Sequence, residues 1–187
     1  MDKLDKNERL DAEDTAQDAE QDTAQNAEQD EAKELAKNLQ KVRDNLAESC
    51  KKAGRKPEDV RLIGVTKFHP VEVCREARDL GLLDLGENRV QEFTAKYEAV
   101  QGESPAIRWH LIGHLQRNKV KDVIGRTELI HSVDSKRLLK EINKRARKAD
   151  IVQDVLLQVN YTGEPQKHGF SEEGLFEALE DFGEKYE

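Results

Sequence analysis

The chain has 187 residues, enough for one domain of ordinary size, with 37% charged and 36% hydrophobic residues and a mean hydropathy of -0.87. No run approaches the roughly 20 apolar residues of a membrane helix, and the N-terminus is too acidic for a secretory signal or a mitochondrial transit peptide. Two cysteines, Cys50 and Cys74, cannot build a disulfide framework or a four-thiolate zinc site, so a reducing cytoplasm is the expected compartment.

Residues 1–30 hold 11 acids against 3 bases. Their net charge of -8 equals that of the whole chain, so residues 31–187 balance at 28 bases and 28 acids. Within this tail Asp14–Gln21 is repeated almost unchanged as Asp22–Gln29, differing only at Asp18 and Asn26. Neither copy carries an apolar side chain larger than alanine, so neither offsets an ordering entropy of roughly 1–2 kcal/mol per residue. Residues 1–30 read as an acidic low-complexity tail, either a docking or solubility arm or a plain spacer. Residues 31–187 read as the folded domain.

From Glu31 onward Leu35, Leu39, Val42, Leu46, Cys50 and Ala53 recur at spacings of three and four, the stripe of an amphipathic helix. Gly54 stops it and Pro57 follows. The chain then alternates. Strands are predicted over Val60–Thr66, Leu82–Leu85, Ile107–Ile112, Leu129–Val133 and Val152–Val159. Helices are predicted over Val71–Leu80, Arg89–Val100, Asn118–Ile124, Ser135–Lys148 and Ser171–Phe182, with Ser135 a cap for the fourth of these. In the last helix Leu175, Phe176 and Leu179 are expected to face inward. Such alternation means a parallel sheet covered by helices. An open doubly wound sheet and part of a (β/α)8 barrel both fit the pattern. In either, the C-terminal ends of the strands form the active face.

That rule selects Thr66, Lys67, Phe68 and His69 after the first strand, and Gly86-Glu87-Asn88 after the second. It selects His110, Gly113, His114, Gln116, Asn118 and Lys119 around the third. Ser132 and Asp134 mark the fourth, and Asn160, Lys167, His168 and Gly169 the fifth. A lysine leaving a buried strand either snorkels to solvent or sits where its ammonium form is disfavoured. In the second case the neutral amine attacks carbonyls and forms a Schiff base.

Val65-Thr-Lys67, Gly86-Glu-Asn88-Arg-Val-Gln-Glu92, Trp109-His-Leu-Ile-Gly113, Leu115-Gln-Arg-Asn118-Lys119, Ser132-Val-Asp134-Ser and Lys167-His-Gly169 stand in that order. Together they resemble the pyridoxal phosphate homeostasis proteins, a family similar to the N-terminal barrel of alanine racemase. The resemblance covers the chain from about Glu31 to about Asp181. It implies an α/β (β/α)8 TIM-type barrel, pyridoxal 5'-phosphate at the strand C-termini, and Lys67 as the lysine that joins the cofactor. It implies that Asn88 lines the cofactor pocket, although a loop asparagine bonding its own backbone reads the same way. His110 either faces the cofactor ring or is a satisfied core histidine. Lys167 either adds positive charge beside the phosphate and disfavours the charged form of Lys67, or is a solvated loop lysine. Asn118 is read equally well as a helix cap.

The family's barrel has eight strands, and five are visible here. In the family the remaining three carry the serine- and glycine-rich loop and the arginine–glycine segment that grip the phosphate. Ser171–Glu187 resembles neither and holds 7 acids against Lys185. The chain is therefore expected to be a truncated barrel, a monomer when full-length and able to self-associate as it stands, the alternative being a natural short form that pairs with another component.

Residues 108–148 carry 12 bases and 4 acids. No aromatic residues are interleaved among the bases of its two helices, so a solvated helix face is expected, with neither nucleic acid nor membrane as partner. The resemblance implies a carrier of the cofactor rather than an enzyme; with the phosphate-gripping segments missing, a remnant that no longer binds the cofactor is an alternative. A racemase would need a tyrosine on the opposite ring face, and Tyr97, Tyr161 and Tyr186 stand in no catalytic motif. A metal-dependent hydrolase using His69, His110, His114 and His131 is the weakest reading, because no His-Glu-x-x-His run exists, and no metal is expected.

Overall fold

A computed structural model of the chain describes residues 32–164 and 166–185. The acidic repeat lies outside the described residues. The chain divides into two compact units, Met1–Val60 and Arg61–Glu187.

In the first unit residues 32–52 form helix α1. Leu39 and Cys50 of the stripe are buried, whereas Val42 is 46% exposed. Gly54 ends the helix at φ +65°. Its N–H donates to Lys51 O, and Arg55 N–H donates to Cys50 O at 2.9 Å. This paired closure needs a left-handed residue, which glycine adopts without a Cβ penalty. A single 3-10 turn, Pro57–Asp59, follows.

In the second unit five strands form one parallel sheet: β1 (Gly64–Val65), β2 (Asp84–Glu87), β3 (Arg108–Leu111), β4 (Leu129–Val133) and β5 (Asp154–Leu157), in the spatial order of their numbers. The connections carry α2 (Val71–Asp79), α3 (Val90–Val100), a 3-10 turn at Arg117–Lys119 running into α4 (Val120–Val123), and α5 (Lys136–Ala149), with α6 (Glu172–Lys185) after β5. Sequential parallel neighbours joined by helices are the repeating unit of a barrel wall.

Register fixes the two faces. Leu85 pairs with Trp109, and Glu87 with Leu111, which pairs with Ile130. Leu85, Trp109, Leu111 and Ile130 belong to the core cluster with Cys74, Ala77, Phe93, Val120, Val123, Leu138, Leu139 and Ile142 from the helices. Trp109 meets Phe93 edge-on, with ring centroids 5.9 Å apart and planes at 74°. Such a pair contributes about 0.5–1.5 kcal/mol beyond its buried area. The other face carries Val65, Gly86, His110 and Leu129, paired in that order, and then Asp154 and Leu156 on β5.

Three details depart from the expected elements. β1 is shorter than Val60–Thr66; Thr66 N–H still reaches Gly86 O at 3.1 Å. β2 runs on to Glu87, so the Gly86-Glu87 pair lies in the strand rather than in the loop after it. In α6 Ala178 is buried, while Phe176 is 57% and Leu179 49% exposed. The expected helix at α5 is present. Ser135 caps it, its hydroxyl oxygen accepting from Leu138 N–H at 3.3 Å, a contact of about 1 kcal/mol.

Candidate functional site

Because all five strands are parallel, the residues that follow them gather at one end of the sheet. Lys67 follows β1, Asn88 follows β2, Gly113 and His114 follow β3, Asp134 follows β4, and Lys167 and His168 stand in the β5–α6 loop.

Lys67 is half-buried. Its Nζ lies 5.9 Å from the centroid of the Phe68 ring, and it makes no ion pair or hydrogen bond among the described residues. The backbone on either side is held. Thr66 O accepts from Lys96 Nζ at 2.7 Å, and Thr66 Oγ1 donates to Glu87 Oε1 at 2.7 Å. Lys96 Nζ also reaches Glu87 Oε1 at 2.5 Å, with Glu87 wholly buried and Lys96 9% exposed at the side chain. The second oxygen, Glu87 Oε2, is buried without a partner among the described residues. Beyond Lys67, Phe68 N–H donates to Glu92 Oε2 at 3.2 Å. Phe68 itself sits at φ +66°, a left-handed conformation that is costly for a non-glycine residue, with its ring 74% exposed and the Arg89 guanidinium 5.7 Å from its centroid.

Asn88 is half-buried and touches the β3 end closely. A Cβ on Gly113 would lie 2.2 Å from Asn88 O, so glycine is required there by the approach of the two backbones. A cavity of about 180 Å³ opens between Asn88, Val90, His114, Gln116 and Lys119.

His110 lies within β3 and is fully buried. Its Nε2 is 3.0 Å from Asp84 Oδ1, and its Nδ1 is 3.1 Å from His131 Nε2. An ionised carboxylate only accepts, so neutral His110 carries its proton on Nε2 and accepts on Nδ1 from His131. Burial alone would push the Asp84 carboxyl up, but hydrogen bonds from Arg108 and His110 bring it below its ordinary value. Burial and then the neighbouring His110 push the His131 imidazole down.

Lys167 is ion-paired with Glu164 at 2.5 Å and is 56% exposed. Among the described residues no hydrogen bond or ion pair joins Lys67 to Asn88, His110 or Lys167.

Sequence reasoning named Thr66 and Glu87 by position but passed over Lys96. The signal was present: Lys96 stands three residues after Phe93 and four before Val100, on the apolar side of α3. A cation in that stripe requires a buried acid. Asp84 was likewise missed, since a strand-opening acid looks solvated until Arg108 and His110 converge on it.

A parallel βα wall with a lysine at the end of its first strand defines a barrel domain of the kind that places ligands at the strand C-termini. The chain belongs to the alanine racemase N-terminal domain family, whose model matches residues 37–185. It is 48% identical over 142 residues to the pyridoxal phosphate homeostasis protein of Aquifex aeolicus, covering 76% of this chain and 61% of that one. The corresponding protein of Pseudomonas aeruginosa is 36% identical over 141 residues, covering 75% and 60%. The chain thus spans about 60% of the length of these relatives. Among solved structures, PipY of Synechococcus elongatus with PLP bound matches at 34% identity and a TM-score of 0.63, covering 74% of this chain and 64% of that one. A protein from Bifidobacterium adolescentis matches at 35% and 0.73, covering 82% and 65%.

Proposed function

We propose that the chain binds pyridoxal 5'-phosphate through Lys67 and serves intracellular pyridoxal phosphate homeostasis as a carrier, without sustained turnover. One observation carries this reading: Lys67 is a primary amine at the C-terminal end of β1, clamped by its backbone on both sides and left without an acidic partner among the described residues. By contrast, Lys96 and Lys167, which also stand near the strand ends, are tied to Glu87 and Glu164. The donor set therefore fits the aldehyde end of the cofactor, and the PLP-bound PipY relative supports the same ligand.

When bound, the cofactor supplies an aldehyde that condenses reversibly with a neutral primary amine. The residues of this chain do the rest. The Thr66–Glu87–Lys96 group and Glu92 fix the peptide that presents Lys67. Asn88 lines the adjacent strand end, His110 backs the sheet through Asp84 and His131, and Lys167 is the loop cation available to the phosphate once it releases Glu164. Among the described residues no helix is long and apolar enough to cross a membrane. Cys50 and Cys74 are free and buried, in keeping with a reducing cytoplasm. Exposed apolar side chains on both edge strands favour self-association of this chain. Titration of the 187-residue chain with pyridoxal phosphate is expected to produce the visible absorbance of a lysine adduct. Lys67→Ala is expected to abolish that band while leaving the circular dichroism unchanged.

A further inference from the structure

Three strand ends converge on a second cluster that the cofactor reading does not use. His114 Nδ1 lies 3.1 Å from Asp134 Oδ2, and His168 Nδ1 lies 3.7 Å from the same oxygen. All three ligand atoms lie within 4.8 Å of one another. The two imidazoles stack, with centroids 4.1 Å apart and planes at 18°. The geometry points to a divalent transition-metal site of the zinc type, built from His114, Asp134 and His168.

The donor chemistry selects the ion class. Two neutral imidazoles and one carboxylate suit zinc and its first-row neighbours, whereas magnesium and calcium take oxygen ligands. Zinc–nitrogen and zinc–oxygen bonds of about 2.0–2.2 Å put neighbouring tetrahedral ligands about 3.4 Å apart. The two contacts to Asp134 bracket that separation. The two imidazoles need the larger adjustment, and their side chains are 44% and 61% exposed, free to turn. Asp134 is the fixed member, 11% exposed at its side chain.

Each ligand is also presented by a built backbone. Gly113, immediately before His114, is pressed against Asn88, and its carbonyl accepts from Ser132 Oγ. Asp134 precedes Ser135, the cap of α5. The carbonyl of His168 accepts from Gln158 Nε2 at 2.9 Å, and Gly169, next in sequence, packs its Cα against Asn160 at φ +140°. Three protein ligands leave a coordination position for water. An ion held here would tie the β5–α6 loop, with Lys167, to the ends of β3 and β4. On binding, each imidazole coordinates through Nδ1 and keeps its proton on Nε2.

The test is competition between the 187-residue chain, without added pyridoxal phosphate, and a chromophoric chelator for Zn2+, with Co2+ visible absorption as a report on coordination. One equivalent of Zn2+ is expected to be withdrawn from the chelator. Asp134→Asn and, on its exposed loop, His168→Ala are each expected to weaken the affinity by at least about tenfold, since losing even an outer partner of a metal ligand costs that much. His69→Ala, an exposed histidine outside the cluster, is expected to leave it unchanged. A native chain that withdraws no Zn2+, or variants that bind it as the native chain does, would overturn the assignment.

Discussion

At the scale of single residues, the placement of Lys67 depends on a side chain that never touches solvent freely. Lys96 bridges Glu87 and the carbonyl of Thr66, so one ammonium neutralises a buried carboxylate and fixes the peptide before Lys67. Removing it strands a wholly buried charge whose second oxygen already lacks a partner among the described residues. Lys96→Ala is therefore expected to destabilise the fold by about 3–5 kcal/mol, measured from urea unfolding. A double variant, Glu87→Gln with Lys96→Met, removes both charges and is expected to recover much of that loss. Equal instability of the single and double variants would show that packing rather than charge governs the position. The position of Lys67 just after β1 is legible in the sequence, because a lysine closing an apolar strand is conspicuous. What surrounds it is not, because Lys96 and Glu87 are nine residues apart and meet only when α3 folds back on β2.

At the scale of elements, β2, β3 and β4 share a polar chain on one face, Asp84–His110–His131. Its pH behaviour follows from the directions of the shifts. Burial holds the His131 imidazole below its ordinary 6.5, so the folded state favours the neutral ring. Its contribution to stability is fully present above 6.5 and drains away as pH falls from there through the folded value. The Asp84 carboxyl is also depressed, from 3.8, so its contribution persists to more acidic pH and is not what fails first. Urea midpoints taken from about pH 7.5 down to about pH 5 are expected to fall, and His131→Gln is expected to flatten that slope. A native slope unchanged in the variant would place the titration elsewhere. Strand and helix order was readable from periodicity, and all five expected strands are present. Their limits were less so. Thr66 and Lys96 hold one carboxylate oxygen of Glu87 where it lies buried in β2, and no local propensity announces that. Phe176 and Leu179 are expected inside α6 from their apolar character, yet both are largely exposed while Ala178 is buried.

At the scale of the whole molecule, alternation alone left an open sheet and a barrel wall equally possible, and the sequential strand order decides between them in favour of the barrel family. One face of this wall is closed by helices. On the other, Val65 and Leu156 are 48% and 49% exposed, and Val152 beside β5 is 94% exposed. A further cavity of about 500 Å³ opens between Ile142, Ala146, Val155, Leu157 and Leu179. Each edge strand has one neighbour within the sheet, leaving backbone groups available to another chain. Sedimentation velocity of the 187-residue chain is expected to show reversible, concentration-dependent association. A single monomeric boundary across the accessible range would mean that these faces are covered in solution.

Cofactor attachment rests on one amine in the second unit, so the decisive measurement is chemical. The native chain is incubated with pyridoxal phosphate, reduced with borohydride and digested, and its peptides are mapped by mass. A single pyridoxyl label at Lys67, absent when Lys67→Ala is treated in the same way, is the predicted result. Labels spread over surface lysines such as Lys51, Lys52 and Lys148, or a label that survives in Lys67→Ala, would contradict it.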